Sequence, residues 1–262
     1  MNSRHNLATA AVVVRRVPYR DADLIVDLFT RERGKVTAVA RGARSSRRRF
    51  AGGLGLFALG IADLRRSPRA ELFTLQAFEV SRSFPIAADL AAVAHGSYGT
   101  ELVRELSPPE QPEPAVFELL VELYESLAAA GAEPRALRAF ELRLLDYLGV
   151  APVLSRCVGC GGEANGDDCV LDAARGGVLC PGCGRGASGA AVRALSGAAL
   201  GLLVAAACAP SLAAARDLPA VPSRDAARAR EAMLALLHAH LGKPLRSVQF
   251  IAKVTAFGAG GY

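Results

Sequence analysis

Cys157 and Cys160, followed by Cys180 and Cys183, form two Cys-x-x-Cys pairs separated by 19 residues. Each pair can close a tight knuckle that offers two thiolates to one ion, and the link lets the knuckles face each other tetrahedrally. Gly159, Gly161, Gly162, Gly182 and Gly184 supply the backbone freedom such turns need. The chemistry this spacing fits is a four-thiolate zinc site with no open position, hence a structural ion. A thioredoxin-like redox pair at Cys180–Cys183 is disfavoured by the second matching pair and by the lack of a surrounding βαβ pattern. Disulfides would need an oxidising compartment that nothing else supports. Cys169 lies between the knuckles with poorer spacing, and Cys208, in an apolar helix, reads as a small buried side chain.

A second constellation can act on polyanions. Thr30–Phe50 carries eight basic side chains (Arg31, Arg33, Lys35, Arg41, Arg44, Arg47, Arg48 and Arg49) against one acid, Glu32. Residues 1–80 hold 15 Arg or Lys against 7 Asp or Glu, so the whole excess of the +6 chain lies in its first third. Arg44 to Arg49 is denser than solubility requires, which favours an anion site over a merely solvated face. The candidate binding residues are Lys35, Arg41, Arg44, Arg47, Arg48 and Arg49. Arg15 and Arg16 can stand on either face of their strand. The nearby aromatics are Phe29, Phe50 and Phe57, and the chain has no Trp.

The elements that must position these groups change character near residue 83. Thr9–Val17, Leu24–Thr30, Lys35–Ala40, an apolar run at Gly53–Leu64 and another at Ala70–Arg82, with Leu72, Leu75 and Phe78 apolar, read as five strands. Pro18-Tyr19, Gly34 and Arg65–Arg69 mark turns. Five strands without a helix predict a small closed barrel, with an OB-fold leading. From Ile86 the period becomes helical: a stripe through Leu106, a Pro-rich break at Ser107–Pro114, then helices at Val116–Ala130 and Arg135–Leu148. Pro134 and Gly149 fit a first turn and a stop. Ala-rich helices follow at Leu195–Cys208 and Arg224–Leu241, then a short tail. The expectation is an α+β chain: an OB-fold nucleic-acid-binding domain over residues 1–82, and a helical domain over 83–262 with the zinc knuckle at about 155–186.

Other signals carry no chemistry. Gly52–Gly55 lacks the lysine and helix of a nucleotide loop. His238 and His240 point to different faces, and His5 and His95 stand alone. No Ser/His/Asp set or carboxylate pair can be nominated, and the His-x-Glu of a zinc deaminase is absent, so the reading is not an enzyme. Ala10–Val14 is followed by Arg15 and Arg16, the reverse of a secretory leader, and Ala194–Ala215 is broken by Gly and Pro, so no membrane span is expected. A cytoplasmic location follows. The rival reading is a zinc-ribbon nucleic-acid module of transcription or translation. Against it, Cys157–Cys183 holds Glu163, Asp167, Asp168 and Asp172 but only Arg175.

Taken together, these parts resemble the RecO family of bacterial recombination-mediator proteins in DNA repair. The likeness rests on Val13–Asp23 (VVRRVPYRDAD), Leu28–Lys35 (LFTRERGK), Ala38–Arg44 (AVARGAR), the Tyr-Leu-Gly of Tyr147–Gly149 and Gly242–Ser247 (GKPLRS). It spans nearly the whole chain and is most specific in the first fifty residues. The resemblance implies an OB-fold binding single- and double-stranded DNA, association with the nucleoid, and annealing of complementary strands. It also implies two protein partners, RecR and single-stranded-DNA-binding protein, with which members help load recombinase onto coated DNA. Without Trp, phosphate contacts should dominate over base stacking.

Overall fold

Buried and half-buried residues alternate through Gly34–Ala40, with Val36, Ala38 and Ala40 turned into a core. That period of two is what one half-covered sheet face requires. The computed structural model describes residues 6–46, 48–50, 53–67 and 70–259. Its strands are β1 (Asn6–Tyr19), β2 (Asp23–Thr30), β3 (Gly34–Ala40), β4 (Ala58–Arg65), β5 (Phe73–Ser83), β6 (Cys169–Asp172), β7 (Gly177–Leu179) and β8 (Val192–Leu195). Its helices are α1 (Leu90–Leu106), α2 (Pro114–Ala130), α3 (Pro134–Tyr147), α4 (Pro181–Gly184), α5 (Gly197–Cys208), α6 (Leu212–Arg216), α7 (Ser223–Leu241) and α8 (Arg246–Ala259). They fall into two compact units, one of Met1–Gly131 with Ser247–Tyr262, the other of Ala132–Arg246.

In the first unit, β1 to β5 close a barrel in the order β1-β2-β3-β5-β4. Every neighbouring pair is antiparallel except β3 and β5, which meet in parallel at Ala38–Phe73 and Val39–Thr74. That is the Greek-key closure of an OB-fold. One long strand serves two neighbours: Asn6–Val12 pairs with β4 and Ala11–Tyr19 with β2, and the register shift between Val13 and Arg15 bends it around the corner. Leu28, Leu64, Leu75 and Phe78 fill the interior.

The helices α1 and α2 pack on this barrel. The Phe117 ring stacks on Phe29 with centroids 6.4 Å apart, and Tyr124 is fully buried against Phe57 and Phe84. The Tyr124 hydroxyl lies 2.6 Å from that of Thr100, and burial pushes its pKa up. The Lys35 ammonium donates to the Arg104 carbonyl near the end of α1, where the helix dipole favours a cation.

The second unit contains α3, a three-stranded sheet in the order β7-β6-β8, and α5 to α7. Pro134 opens α3, as its position predicts, and Gly149 at φ 74° ends it. Several expectations are revised. Gly53–Leu64 is not all strand: β4 starts at Ala58, and Leu54 turns back into the barrel core. Leu72 is exposed, because β5 begins one residue later. The small sheet was unforeseen, since strands of three or four residues among glycines leave no readable period. The expected tail is instead α8, whose Ser247 amide and hydroxyl donate to the Glu101 carboxylate. Cys208 is exposed rather than buried, because it is the last residue of α5.

Candidate nucleic-acid interface and metal centre

The connection from β3 to β4 is basic yet held at several points. Gly42, at φ 64°, makes a left-handed turn that a side chain would strain, and its amide donates to Asp23 Oδ1 at 2.8 Å. Arg44 binds the β1–β2 turn twice, its amide to the Ala22 carbonyl and its guanidinium to the Asp21 carbonyl, both at 3.0 Å. Arg49 donates to the Arg41 carbonyl at 2.8 Å, and its own carbonyl accepts from the Phe78 amide at 2.9 Å. Phe50 and Leu54 plug into the barrel core behind it. Apolar anchors and backbone hydrogen bonds thus hold a segment too charged to bury itself.

Arg41, Arg44, Arg48 and Arg49 are all exposed, and among the described residues none of them has a carboxylate partner. Their charge is left for an external anion. Arg47 lies outside the described residues. Lys35 stands apart from this group, since its ammonium is tied to α1. The two strand arginines also separate. Arg15 is paired with Asp27 at 2.6 Å, a bond that raises its pKa, whereas Arg16 reaches the Leu54 carbonyl at the loop base.

The nearby aromatics are arranged differently from expectation. Phe29 and Phe50 are buried and Phe57 packs on Tyr124, so these rings serve the core. The exposed ring is Tyr19, at the end of β1, with the Arg20 guanidinium 5.1 Å from its centroid. Pro18-Tyr19 was read as the turn, but both are the last paired residues of β1 and the turn is residues 20–22. That this turn meets the basic loop depends on a long-range pairing that no local pattern reveals.

Asp23 gives a test of whether loop order matters beyond charge. Asp23→Ala and Asp23→Asn have the same net charge, but only the amide still accepts from Gly42. The alanine variant should bind a single-stranded oligonucleotide severalfold more weakly than the asparagine variant, by fluorescence anisotropy at equal salt. Equal affinities would mean that this anchor does not organise the loop.

In the second unit the four predicted cysteines do converge. The sulfurs of Cys157, Cys160, Cys180 and Cys183 all lie within 4.8 Å of one another, and those of Cys160 and Cys180 are 3.9 Å apart. A tetrahedral ion with metal–sulfur bonds of ~2.3 Å sets sulfurs about 3.8 Å apart. The first knuckle is closed by Cys157 accepting at its carbonyl from Gly161 and donating from its amide to Gly162. The second is a turn of α4, with Gly184 donating to the Cys180 carbonyl. A Cβ on Gly159 would stand 3.1 Å from that of Cys183, so the knuckles meet closely.

The protonation of this cluster fits a cation. The Cys157 thiol is lowered to about 6, first by the Cys180 amide and then by those of Cys160 and Gly159, while Cys183 is pushed up to about 12 as it shares hydrogen bonds with Cys160, Cys157 and Cys180. Four crowded sulfurs cannot all ionise alone, and a divalent ion removes that conflict. Cys169 is outside the cluster, fully buried, with its thiol directed at the Asn165 carbonyl. Two acids between the knuckles have local partners: Asp167 accepts from the Gly197 amide at the start of α5, and Asp172 from the amides of Ala174 and Arg175. Among the described residues no helix is long and apolar enough to cross a membrane.

Comparison with known proteins gives the family. Residues 1–84 match the family model for the recombination protein O N terminal, and residues 87–249 that for the recombination protein O C terminal. The chain is 42% identical over 246 residues to the DNA repair protein RecO of Anaeromyxobacter sp. (strain K), covering 93% of this chain and 94% of the relative. It is 36% identical over 245 residues to that of Myxococcus xanthus, covering 93% and 96%. An OB-type barrel with an arginine loop, a four-cysteine centre and these matches along both halves place the chain in the RecO family of DNA repair proteins.

Proposed function

We propose that this protein is a recombination mediator that binds single- and double-stranded DNA through the loop after β3, anneals complementary strands, and with RecR loads recombinase onto DNA coated by single-stranded-DNA-binding protein. The observation that carries it is the set of exposed guanidiniums of Arg41, Arg44, Arg48 and Arg49, without a carboxylate partner among the described residues, on a segment pinned to the barrel. Arg47 extends the same run in sequence. Neutralising phosphates on two strands lowers their repulsion and releases counterions, so pairing speeds up without a catalytic group. Lys35 belongs to this basic surface, although its tie to α1 gives it a structural share. Residues 1–82 are the nucleic-acid-binding domain in this reading and 83–262 the helical one.

The four-cysteine centre holds Zn2+ as a structural ion. It would supply no chemistry at the DNA, because four thiolates complete a tetrahedral shell. The protein works in the cytoplasm at the nucleoid.

The test is recombinase loading on a strand coated with single-stranded-DNA-binding protein, read as DNA-dependent ATP hydrolysis. Adding this protein and RecR together should shorten the lag severalfold. An unchanged lag would contradict the mediator reading.

A further inference from the structure

Among the described residues of the first unit, four aromatic rings lie under an arginine guanidinium: Tyr19 under Arg20, Phe50 under Arg49, Phe73 under Arg66 and Phe84 under Arg82. Three are core residues, Phe50 at 4%, Phe73 at 6% and Phe84 at 8% exposure, so their arginines cap apolar surface. Tyr19 is 38% exposed and has no such role. An exposed ring beside a cation is built to take a second flat partner.

Its place in the sheet sets which partner. Tyr19 pairs with Asp23 across β1 and β2, and directly opposite residues of an antiparallel pair share one face. The Asp23 carboxylate grips the Gly42 amide, and Arg44 holds the carbonyls of Asp21 and Ala22. The ring therefore stands on the side of the sheet where the arginine loop begins. Arg20 adopts φ 54°, a left-handed backbone uncommon for a residue other than Gly, Asn or Asp, in the same turn that brings its guanidinium over the ring.

We infer that Tyr19, with Arg20, is a stacking platform for one unpaired base of a strand whose phosphates lie on Arg41, Arg44, Arg48 and Arg49. This rests on the DNA-binding reading and deepens it: the loop is indifferent to strandedness, and the ring selects single strands. A duplex offers phosphates but no free base face, whereas a splayed single strand offers both, and stacking on an aromatic tolerates any sequence. The platform also gives annealing a direction, because a base that leaves the ring to pair gives up its contact with the protein.

The experiment compares wild type, Tyr19→Ala, Tyr19→Phe and the loop variant with Arg44, Arg47, Arg48 and Arg49 changed to Ala. Each is titrated with a single-stranded oligonucleotide carrying 2-aminopurine and with the matching duplex. Tyr19→Ala should weaken single-strand binding on the order of tenfold, abolish quenching of the 2-aminopurine, and leave duplex affinity within about twofold. Tyr19→Phe should keep both properties, because it keeps the ring. The slope of affinity against salt should be the same in all three, since no phosphate contact is removed. Equal losses on single strand and duplex, or no loss with quenching intact, would overturn the platform. If only the loop variant then fails to bind, the DNA-binding reading stands without it. If no protein, wild type included, binds DNA, both fall together.

Discussion

Removing the metal should unfold the cysteine-centred part of the second unit and leave the barrel standing. The protein should release one Zn2+ per chain to a strong chelator, and Cys180→Ser with Cys183→Ser should fail to retain it. The expected size follows from the poverty of the local core. Leu154, Leu171, Val178, Leu179 and Leu195 are the larger buried side chains around the small sheet, and β6, β7 and β8 have only four, three and four residues. Binding a structural zinc is worth about 10–16 kcal/mol in isolated fingers, which exceeds anything so small a sheet can gain by burial. Amide exchange at Val170, Val178 and Leu179 should therefore rise by orders of magnitude in the apo protein. Exchange at Leu28, Val36 and Leu64 in the barrel should hold. DNA affinity should stay within about twofold, since the arginine loop belongs to the other unit and the segment between the cysteines is acidic. Loss of DNA binding on chelation, with the barrel still folded, would instead favour a zinc-ribbon nucleic-acid module.

The four-cysteine cluster was legible because its signal is local. Two Cys-x-x-Cys pairs fix ligand identity and number by spacing alone, and glycines at 159, 161, 162, 182 and 184 announce the turns. The barrel was legible for a related reason: Lys35–Ala40 alternates, and five apolar or β-branched runs in about eighty residues without a helix must close on each other or expose an edge. What the sequence hid was non-local or too short. The β1–β2 turn meets the arginine loop through β1–β2 pairing, the Asp23 carboxylate and the Arg44 bonds to Asp21 and Ala22. Leu54, inside what looks like a strand, is a core plug. The helix α8 lies beyond a Gly-Lys-Pro stop, and its Ser247–Glu101 contacts join residues 146 positions apart. The end of α5 at Cys208 was legible, but the exposure of that last residue depends on packing that Ala-rich composition does not mark.

The loop variant should lose annealing altogether. Arg48 is exposed and bonded to nothing among the described residues, so Arg48→Ala alone should remove one phosphate contact with no cost in stability. It should lower the slope of log affinity against log salt by about 0.7 on single strands. Changing Arg44, Arg47, Arg48 and Arg49 together should lower it by about 3. Part of that loss will be structural, because Arg44 and Arg49 also hold the loop, so circular dichroism and a thermal melt must accompany the binding curves. The most direct measurement is annealing of complementary oligonucleotides, bare and coated with single-stranded-DNA-binding protein, across a salt series. Wild type should anneal both, faster at low salt, and the folded quadruple variant should fall to the spontaneous rate. Annealing by the variant at the wild-type rate, or none by the wild type, would contradict the assignment of DNA to this loop.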